Sequence, residues 1–96
     1  MIGSEKQIAW AQEIKKIFIE KHEKLQLDGW KDVNSGHVED KERFTKELQD
    51  EQSIFDELMN VKSAKFWIDS RREVSYFVTA YEILLRHSKL DTYQGE

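Results

Sequence analysis

Histidine is the residue type in this chain with the clearest potential for metal chemistry. The three histidines, His22, His37 and His87, are far apart, and none has a partner at the spacing of a zinc motif. The closest pattern, His37-x-Glu39, matches the H-x-E element of zinc deaminases. Those enzymes also need a P-C-x-x-C segment, and this chain contains neither proline nor cysteine. We therefore predict no metal site and no cofactor.

Motifs for nucleophilic or phosphate chemistry are also missing. No serine lies in a G-x-S-x-G elbow, and no glycine-rich loop has the pattern of a phosphate cradle. The adjacent carboxylates Asp50-Glu51 and Asp56-Glu57 lie in a stretch rich in acidic residues, where solvation explains them without catalysis. The sequence therefore favours a protein that is not an enzyme.

The acidic residues are concentrated in the middle of the chain. Residues 28–60 contain ten acidic and four basic side chains, although the whole chain carries a net charge of only −4. Such asymmetry favours electrostatic steering toward a partner protein with a basic surface. The residues predicted to bind that partner are Glu47, Asp50, Glu51, Asp56 and Glu57.

A basic stretch downstream supports an alternative function, that of a small DNA-binding accessory protein. Its basic residues are Lys62, Lys65, Arg71 and Arg72, and the aromatic residues Phe66 and Trp67 lie among them. The acidic net charge argues against strong counterion release on nucleic acid. Binding to nucleic acid is therefore the second hypothesis.

The composition predicts one small cytoplasmic domain. With 96 residues, of which 39% are hydrophobic, the chain is large enough for one core and too small for two. The absence of cysteine is compatible with a reducing compartment and excludes a disulfide scaffold. The N-terminal residues are polar, and no apolar run reaches the roughly 20 residues that span a bilayer, so we expect neither secretion nor membrane insertion.

Apolar spacing predicts two helices in the first two thirds of the chain. The first covers residues 4–27 and starts with a capping box formed by Ser4 and Gln7. The second covers residues 39–60 and has a narrow apolar stripe. Between them, residues 28–38 contain two glycines with Asp, Asn and Ser, a composition that predicts a long loop.

A third helical pattern begins at Ser63, and residues 89–96 form a predicted polar tail. The apolar stripe changes direction near residues 69–72, where Ser70 and Glu73 form a capping-box pattern. This indicates a broken helix, although a bent one remains open because the region lacks proline and glycine. The predicted fold is a compact all-α bundle of three or four helices over residues 1–96.

Two short sequence blocks resemble those of small uncharacterised helical proteins from bacteria and their mobile elements. The first is SEKQIAWA at residues 4–11, which resembles (S/T)-E-K-Q-I-x-W-A. The second is AKFWIDSR at residues 64–71, which resembles A-K-x-W-I-D-x-R. The resemblance implies a bacterial or phage-related origin and no mechanism. In that setting the acidic helix would imitate the nucleic acid bound by a host protein. We expect both blocks to form one packing unit with Trp10 and Trp67 buried together, and Asp69 or Arg71 paired with Glu5 or Lys6.

Overall fold

The computed structural model describes residues 1–36, 38–76 and 80–94, with the side chains of Tyr76 and Gln94 left out of the description. The described residues form helices and no strand, which confirms the all-α prediction. The helices are α1 (Glu5–Ser35), α2 (Lys41–Met59), α3 (Ala64–Asp69), α4 (Arg71–Tyr76), α5 (Tyr81–Ser88) and α6 (Asp91–Gln94). Two are long and four are short, so the predicted count of three or four depends on whether the short segments are counted separately.

The N-terminus of α1 has the predicted capping box. The Gln7 backbone N–H donates to Ser4 Oγ at 3.2 Å, and the Ser4 backbone N–H donates to Gln7 Oε1 at 2.9 Å. These two bonds satisfy donors that a helix start otherwise leaves unpaired. The capping residues therefore fix where α1 begins.

The predicted loop at residues 28–38 is wrong for residues 28–35, because α1 continues to Ser35 and ends at Gly36 with a left-handed φ of 77°. Gly29 lies inside α1 at its contact with α2. A Cβ atom built on Gly29 would lie 2.6 Å from Leu48 Cδ2, so this glycine allows the close approach of the two helices. Val33, one turn later on α1, is also buried.

Helix α2 agrees with its prediction to within two residues at each end. Asp40 caps it by accepting a hydrogen bond from the Arg43 backbone N–H at 3.0 Å. The connection after α2 is held by the N-terminal residues, since Ile2 N–H donates to the Lys62 carbonyl and Ala64 N–H donates to the Ile2 carbonyl. This isolated bridge places the start of α3 beside the start of α1.

The third helical pattern is divided at Ser70, between α3 and α4. The Ser70 N–H donates to the Phe66 carbonyl at 3.0 Å, and the Val74 N–H donates to the Ser70 carbonyl at 3.1 Å. The first bond belongs to the last turn of α3 and the second to the first turn of α4, so the two helices meet at Ser70. The change of stripe direction therefore coincides with the division between two helices, which is the predicted break.

The described part of the predicted polar tail, residues 89–94, contains α6 and is attached to the core. Tyr93 packs edge-on against Phe66, with ring centroids 5.5 Å apart, and its hydroxyl donates to Asp69 Oδ2 at 2.8 Å. Tyr93 makes both contacts, and because its neighbours in the sequence are polar, the pattern did not predict that it packs on the core. Of the predicted segments, His37 of the loop, Phe77 and Val78 of the third helical pattern, and residues 95–96 of the tail lie outside the described residues.

Phe18 of α1 lies in the middle of the core. Its ring centroid is 5.7 Å from the rings of Phe55 on α2, Trp67 on α3 and Tyr81 on α5. Trp67 is fully buried. The core therefore joins α1, α2, α3 and α5 in one aromatic cluster. No described helix contains a stretch long and apolar enough to cross a lipid bilayer.

Candidate functional site

A groove between α2 and α5 contains the largest part of the predicted acidic surface. Its volume is about 340 Å³. Carboxylates of α2 lie along one side, and α5 supplies a further carboxylate, an arginine and an exposed isoleucine. The residues that line it are Glu47, Asp50, Glu51, Ile54, Tyr81, Glu82, Ile83 and Arg86. We call this the α2–α5 groove.

Three of the five predicted protein-binding residues line this groove, namely Glu47, Asp50 and Glu51. The other two lie elsewhere on α2. Glu57 pairs with Lys89 at 3.3 Å and borders a different depression. Asp56 accepts a hydrogen bond from the Gln52 side chain at 2.9 Å. Asp56 and Glu57 are therefore placed outside the α2–α5 groove.

The rim carboxylates are exposed and only weakly neutralised. Arg43 pairs with Glu47 at 3.3 Å, and Lys46 pairs with Asp50 at 3.0 Å. Each pair joins residues four apart on α2, and all four side chains are more than half exposed. Such pairs contribute little to stability and rearrange easily, so both carboxylates remain accessible to a cation from outside.

Glu51 differs from the other rim residues because it is partly buried. Its Oε2 atom is buried and has no hydrogen-bond partner among the residues that the structure describes. Burial, together with the negative charge of Glu47, raises the pKa of Glu51 above its ordinary value. This carboxylate therefore has an unused acceptor at the inner side of the groove.

Behind the groove, a chain of hydrogen bonds leads from Tyr81 into the core. The Tyr81 hydroxyl lies 2.7 Å from Nδ1 of His22, and Nε2 of His22 lies 2.8 Å from Oε1 of Gln52. The imidazole is buried and stacks on Phe55, with ring centroids 3.9 Å apart. Burial raises the pKa of Tyr81, and the charge of Glu51 raises it further.

Sequence reasoning considered His22 only as a metal ligand and did not detect this chain of hydrogen bonds. A signal was present, because His22 follows Phe18 by four residues and precedes Leu25 by three, which places it on the apolar stripe of α1. A histidine at such a position needs partners for both ring nitrogens. Those partners come from α2 and α5, which the stripe alone does not identify. Among the described residues, no three histidine or acidic side chains converge as metal ligands.

The four predicted nucleic-acid-binding residues do not share one depression. Lys62 borders depressions beside Asn60 and Val61, whereas Arg71 and Arg72 border another one together with Asp69 and Glu73. Lys65 is paired with Asp69 at 2.6 Å. The basic side chains are therefore interrupted by acidic ones.

Asp69, which the sequence predicts to be a structural residue paired with the first block, has other partners. It binds Lys65 and Tyr93 rather than Glu5 or Lys6. Partial burial alone would raise the pKa of Asp69, but the hydrogen bonds from Lys65 and Tyr93 and the charges of Lys65 and Arg71 outweigh burial and lower it.

The prediction that Trp10 and Trp67 are both buried is wrong for Trp10, which is 46% exposed. Trp10 immediately precedes Ala11 on the buried face of α1, so it points about 100° away from that face. The guanidinium of Arg71 lies 5.2 Å from the centroid of the Trp10 ring. The two sequence blocks therefore meet through Trp10 and Arg71 and not through two buried tryptophans.

Comparison of the chain with protein-family models, curated protein sequences and solved structures finds no match.

Proposed function

We propose that this chain is a non-enzymatic protein-binding module, and that the α2–α5 groove receives a basic amphipathic helix of a cytoplasmic partner. The observation that carries the proposal is the composition of the groove, in which aliphatic Ile54 and Ile83 line the same depression as acidic residues of two helices. Aliphatic side chains of a partner would pack on the isoleucines. Its lysines or arginines would face Glu47, Asp50 and Glu82.

Charge supports a cationic occupant in particular. Arg86 is the single basic residue among those lining the described groove, against four carboxylates. The raised pKa of Glu51 shows that its negative charge is disfavoured there by burial and by Glu47. A bound cation would relieve this repulsion and would also accelerate association, because opposite charges steer the encounter. In a phage or mobile-element setting, the partner would be a host protein whose nucleic acid is imitated by α2.

Binding of a designed basic peptide tests the proposal. The probe is a short isotope-unlabelled helical peptide of lysine and leucine, titrated into isotope-labelled protein and followed by NMR. We expect the largest shifts at Ile54, Ile83 and the neighbouring acidic residues. Shifts confined to another surface, or no shifts at high peptide concentration, would reject the groove as the binding site.

A matched pair of charge reversals separates a specific groove from a general effect of net charge. The groove variant changes Glu47, Asp50 and Glu82 to lysine. The control changes Glu13, Glu20 and Glu23, which are exposed on α1, to lysine. Both variants gain the same charge, and we expect at least a tenfold loss of peptide affinity only in the groove variant. Equal losses in both variants would indicate nonspecific attraction.

The second candidate function is binding of single-stranded nucleic acid at Trp10 and Arg71. The specific observation is an exposed indole beside a guanidinium, which are two groups that stack with bases. Phe66 and Trp67, the aromatic residues first associated with the basic stretch, are fully buried and offer no surface. Gel shifts over a salt series test this candidate, with Trp10→Ala and Arg71→Gln expected to abolish binding. Capture of partners from a bacterial lysate with and without nuclease then distinguishes protein from nucleic-acid partners.

A further inference from the structure

His22 is a buried imidazole with both ring nitrogens in hydrogen bonds, and these bonds lead to an acidic residue on one side and to the α2–α5 groove on the other. Through Gln52, the Nε2 side leads to Asp56 on the surface of α2. Through Tyr81, the Nδ1 side leads to the α2–α5 groove, which Tyr81 lines together with Glu51. The imidazole is therefore connected to the surface that the proposed function uses.

The hydrogen bonds determine which nitrogen of His22 carries the proton in the neutral ring. The Gln52 side-chain nitrogen donates to Asp56, so the Gln52 oxygen is the atom that faces His22. That oxygen can only accept, and Nε2 must therefore be protonated. Nδ1 is then a bare acceptor, and the Tyr81 hydroxyl donates to it at 2.7 Å.

A second proton on the imidazole changes the hydrogen bond with Tyr81 and leaves the one with Gln52 as it is. Nε2 continues to donate to Gln52, but Nδ1 becomes a donor as well. The Tyr81 oxygen then accepts from Nδ1, and its own hydrogen needs a new acceptor. Glu51 Oε2 is a buried acceptor without a partner among the described residues, and it belongs to the same groove as Tyr81.

We propose that His22 is a proton sensor for the α2–α5 groove: on binding a proton from solvent, it reverses the Tyr81 hydrogen bond, and Tyr81 then donates to Glu51. The groove would then hold a cationic partner less tightly, because Glu51 is engaged from inside and a positive charge lies behind it. This consequence for binding rests on the proposed function, whereas the hydrogen-bond reversal does not. Ordinary histidines gain this proton between about pH 5 and 8.

The titratable groups that the hydrogen bonds of His22 reach lie on α2 and α5. Helix α2 contributes Asp56, which is bonded through Gln52, and α5 contributes Tyr81. Glu51 of α2 lines the groove together with Tyr81, and its charge acts on the Tyr81 hydroxyl. On α1, the neighbouring Lys21 ammonium is directed to α4, where it donates to the carbonyls of Val74 and Ser75. The acidic groups that receive the charge of His22 are therefore Glu51 and Asp56.

NMR of the free protein tests the reversal without any partner. The imidazole nitrogens of His22 and the side-chain carboxyl carbon of Glu51 are followed from about pH 8 to 5. We expect a neutral ring protonated on Nε2, and a step in the Glu51 signal at the pH where His22 titrates. In Tyr81→Phe, which keeps the ring but lacks the hydroxyl, that step should disappear.

Two outcomes would overturn the proposal. One is a neutral ring protonated on Nδ1, and the other is a Glu51 step of equal size in Tyr81→Phe, which would indicate a through-space effect of charge. Circular dichroism checks that this variant is folded. If it is not, Glu51→Gln provides the second test, with Glu47→Gln as its control, because Glu47 is a carboxylate of the same groove that is not the proposed acceptor. Glu51→Gln should move the His22 titration further to lower pH than the control does. An equal movement in both variants, or no movement, would also overturn the proposal.

Binding of the lysine and leucine peptide then tests the consequence. We expect the wild-type affinity to fall at least about fivefold between pH 7.5 and 5.5, and the affinity of Tyr81→Phe to change by less than twofold. A pH-independent wild-type affinity would overturn the regulation. Absence of peptide binding at both pH values, with the NMR coupling intact, would reject the proposed function and leave the hydrogen-bond reversal standing.

Discussion

Single residues with unusual environments connect the C-terminal segment to the core. Tyr93 is the clearest example, because its hydroxyl donates to Asp69 and its ring contacts Phe66. Burial, the hydrogen bond with Asp69 and the negative charge of that residue together raise the pKa of Tyr93 to about 12. The protonated phenol is therefore the form that the folded protein prefers.

This preference predicts how stability depends on alkaline pH. A tyrosine in the unfolded chain loses its proton near pH 10. Because the folded pKa of Tyr93 is higher, the stabilisation is fully present below pH 10 and is lost between about pH 10 and 12. The free energy of unfolding of the wild type, measured with urea, should decrease over that range, and the decrease should be smaller for Tyr93→Phe. Part of the decrease should remain in the variant, because the pKa of Tyr81 is also raised.

The two tryptophans of the sequence blocks should differ strongly in their contribution to stability. Trp67 is fully buried in the aromatic cluster, so Trp67→Ala should cost about 3 to 5 kcal/mol in the free energy of unfolding. Trp10→Ala removes only a half-exposed ring and its contact with Arg71, so we expect it to lower the free energy of unfolding by about 1 kcal/mol. Urea denaturation measures both values. Equal costs would show that Trp10 is as important to the core as Trp67.

At the scale of elements, helix starts followed directly from the sequence, whereas one helix end did not. The Ser4 capping box and the apolar spacing of α2 are local signals, and local signals determine where those helices begin. Glycine is typical of helix ends, so Gly29 suggested the end of α1. In the structure it lies inside α1, where the missing side chain leaves room for Leu48 of α2. The α2–α5 groove could not be predicted for a similar reason. Glu82 and Arg86 join the acidic residues of α2 only because α5 packs beside α2, and local sequence does not show that packing.

Gly29→Ala tests whether close approach of α1 and α2 matters more than helix propensity. Alanine should gain about 1 kcal/mol as a better helix former. Against this, the added methyl group would overlap the buried Leu48 side chain, and overpacking typically costs about 1 to 3 kcal/mol. We expect net destabilisation by thermal unfolding.

The same change in a Leu48→Ala background is the control for this interpretation. There the space for the methyl group is available, so Gly29→Ala should be neutral or stabilising relative to Leu48→Ala alone. A similar destabilisation in both backgrounds would show that the cost arises somewhere other than the contact with Leu48.

At the scale of the whole molecule, the aromatic cluster around Phe18 predicts cooperative unfolding. It joins α1, α2, α3 and α5, so loss of any one of these helices exposes the ring of Phe18. Thermal unfolding followed by far-ultraviolet circular dichroism and by tryptophan fluorescence should give the same midpoint. Separate midpoints would mean that part of the bundle melts independently of the cluster.

The length of α1 determines how the molecule tumbles in solution. Its 31 residues span about 46 Å at 1.5 Å per residue, and the long axis of the molecule measures 47 Å against 22 and 19 Å across. The N–H bonds of α1 are thus aligned with the axis whose reorientation is slowest. Backbone nitrogen relaxation should show uniformly high ratios of transverse to longitudinal rates from Glu5 to Ser35, and a drop in that ratio at Gly29 would reveal a hinge within α1.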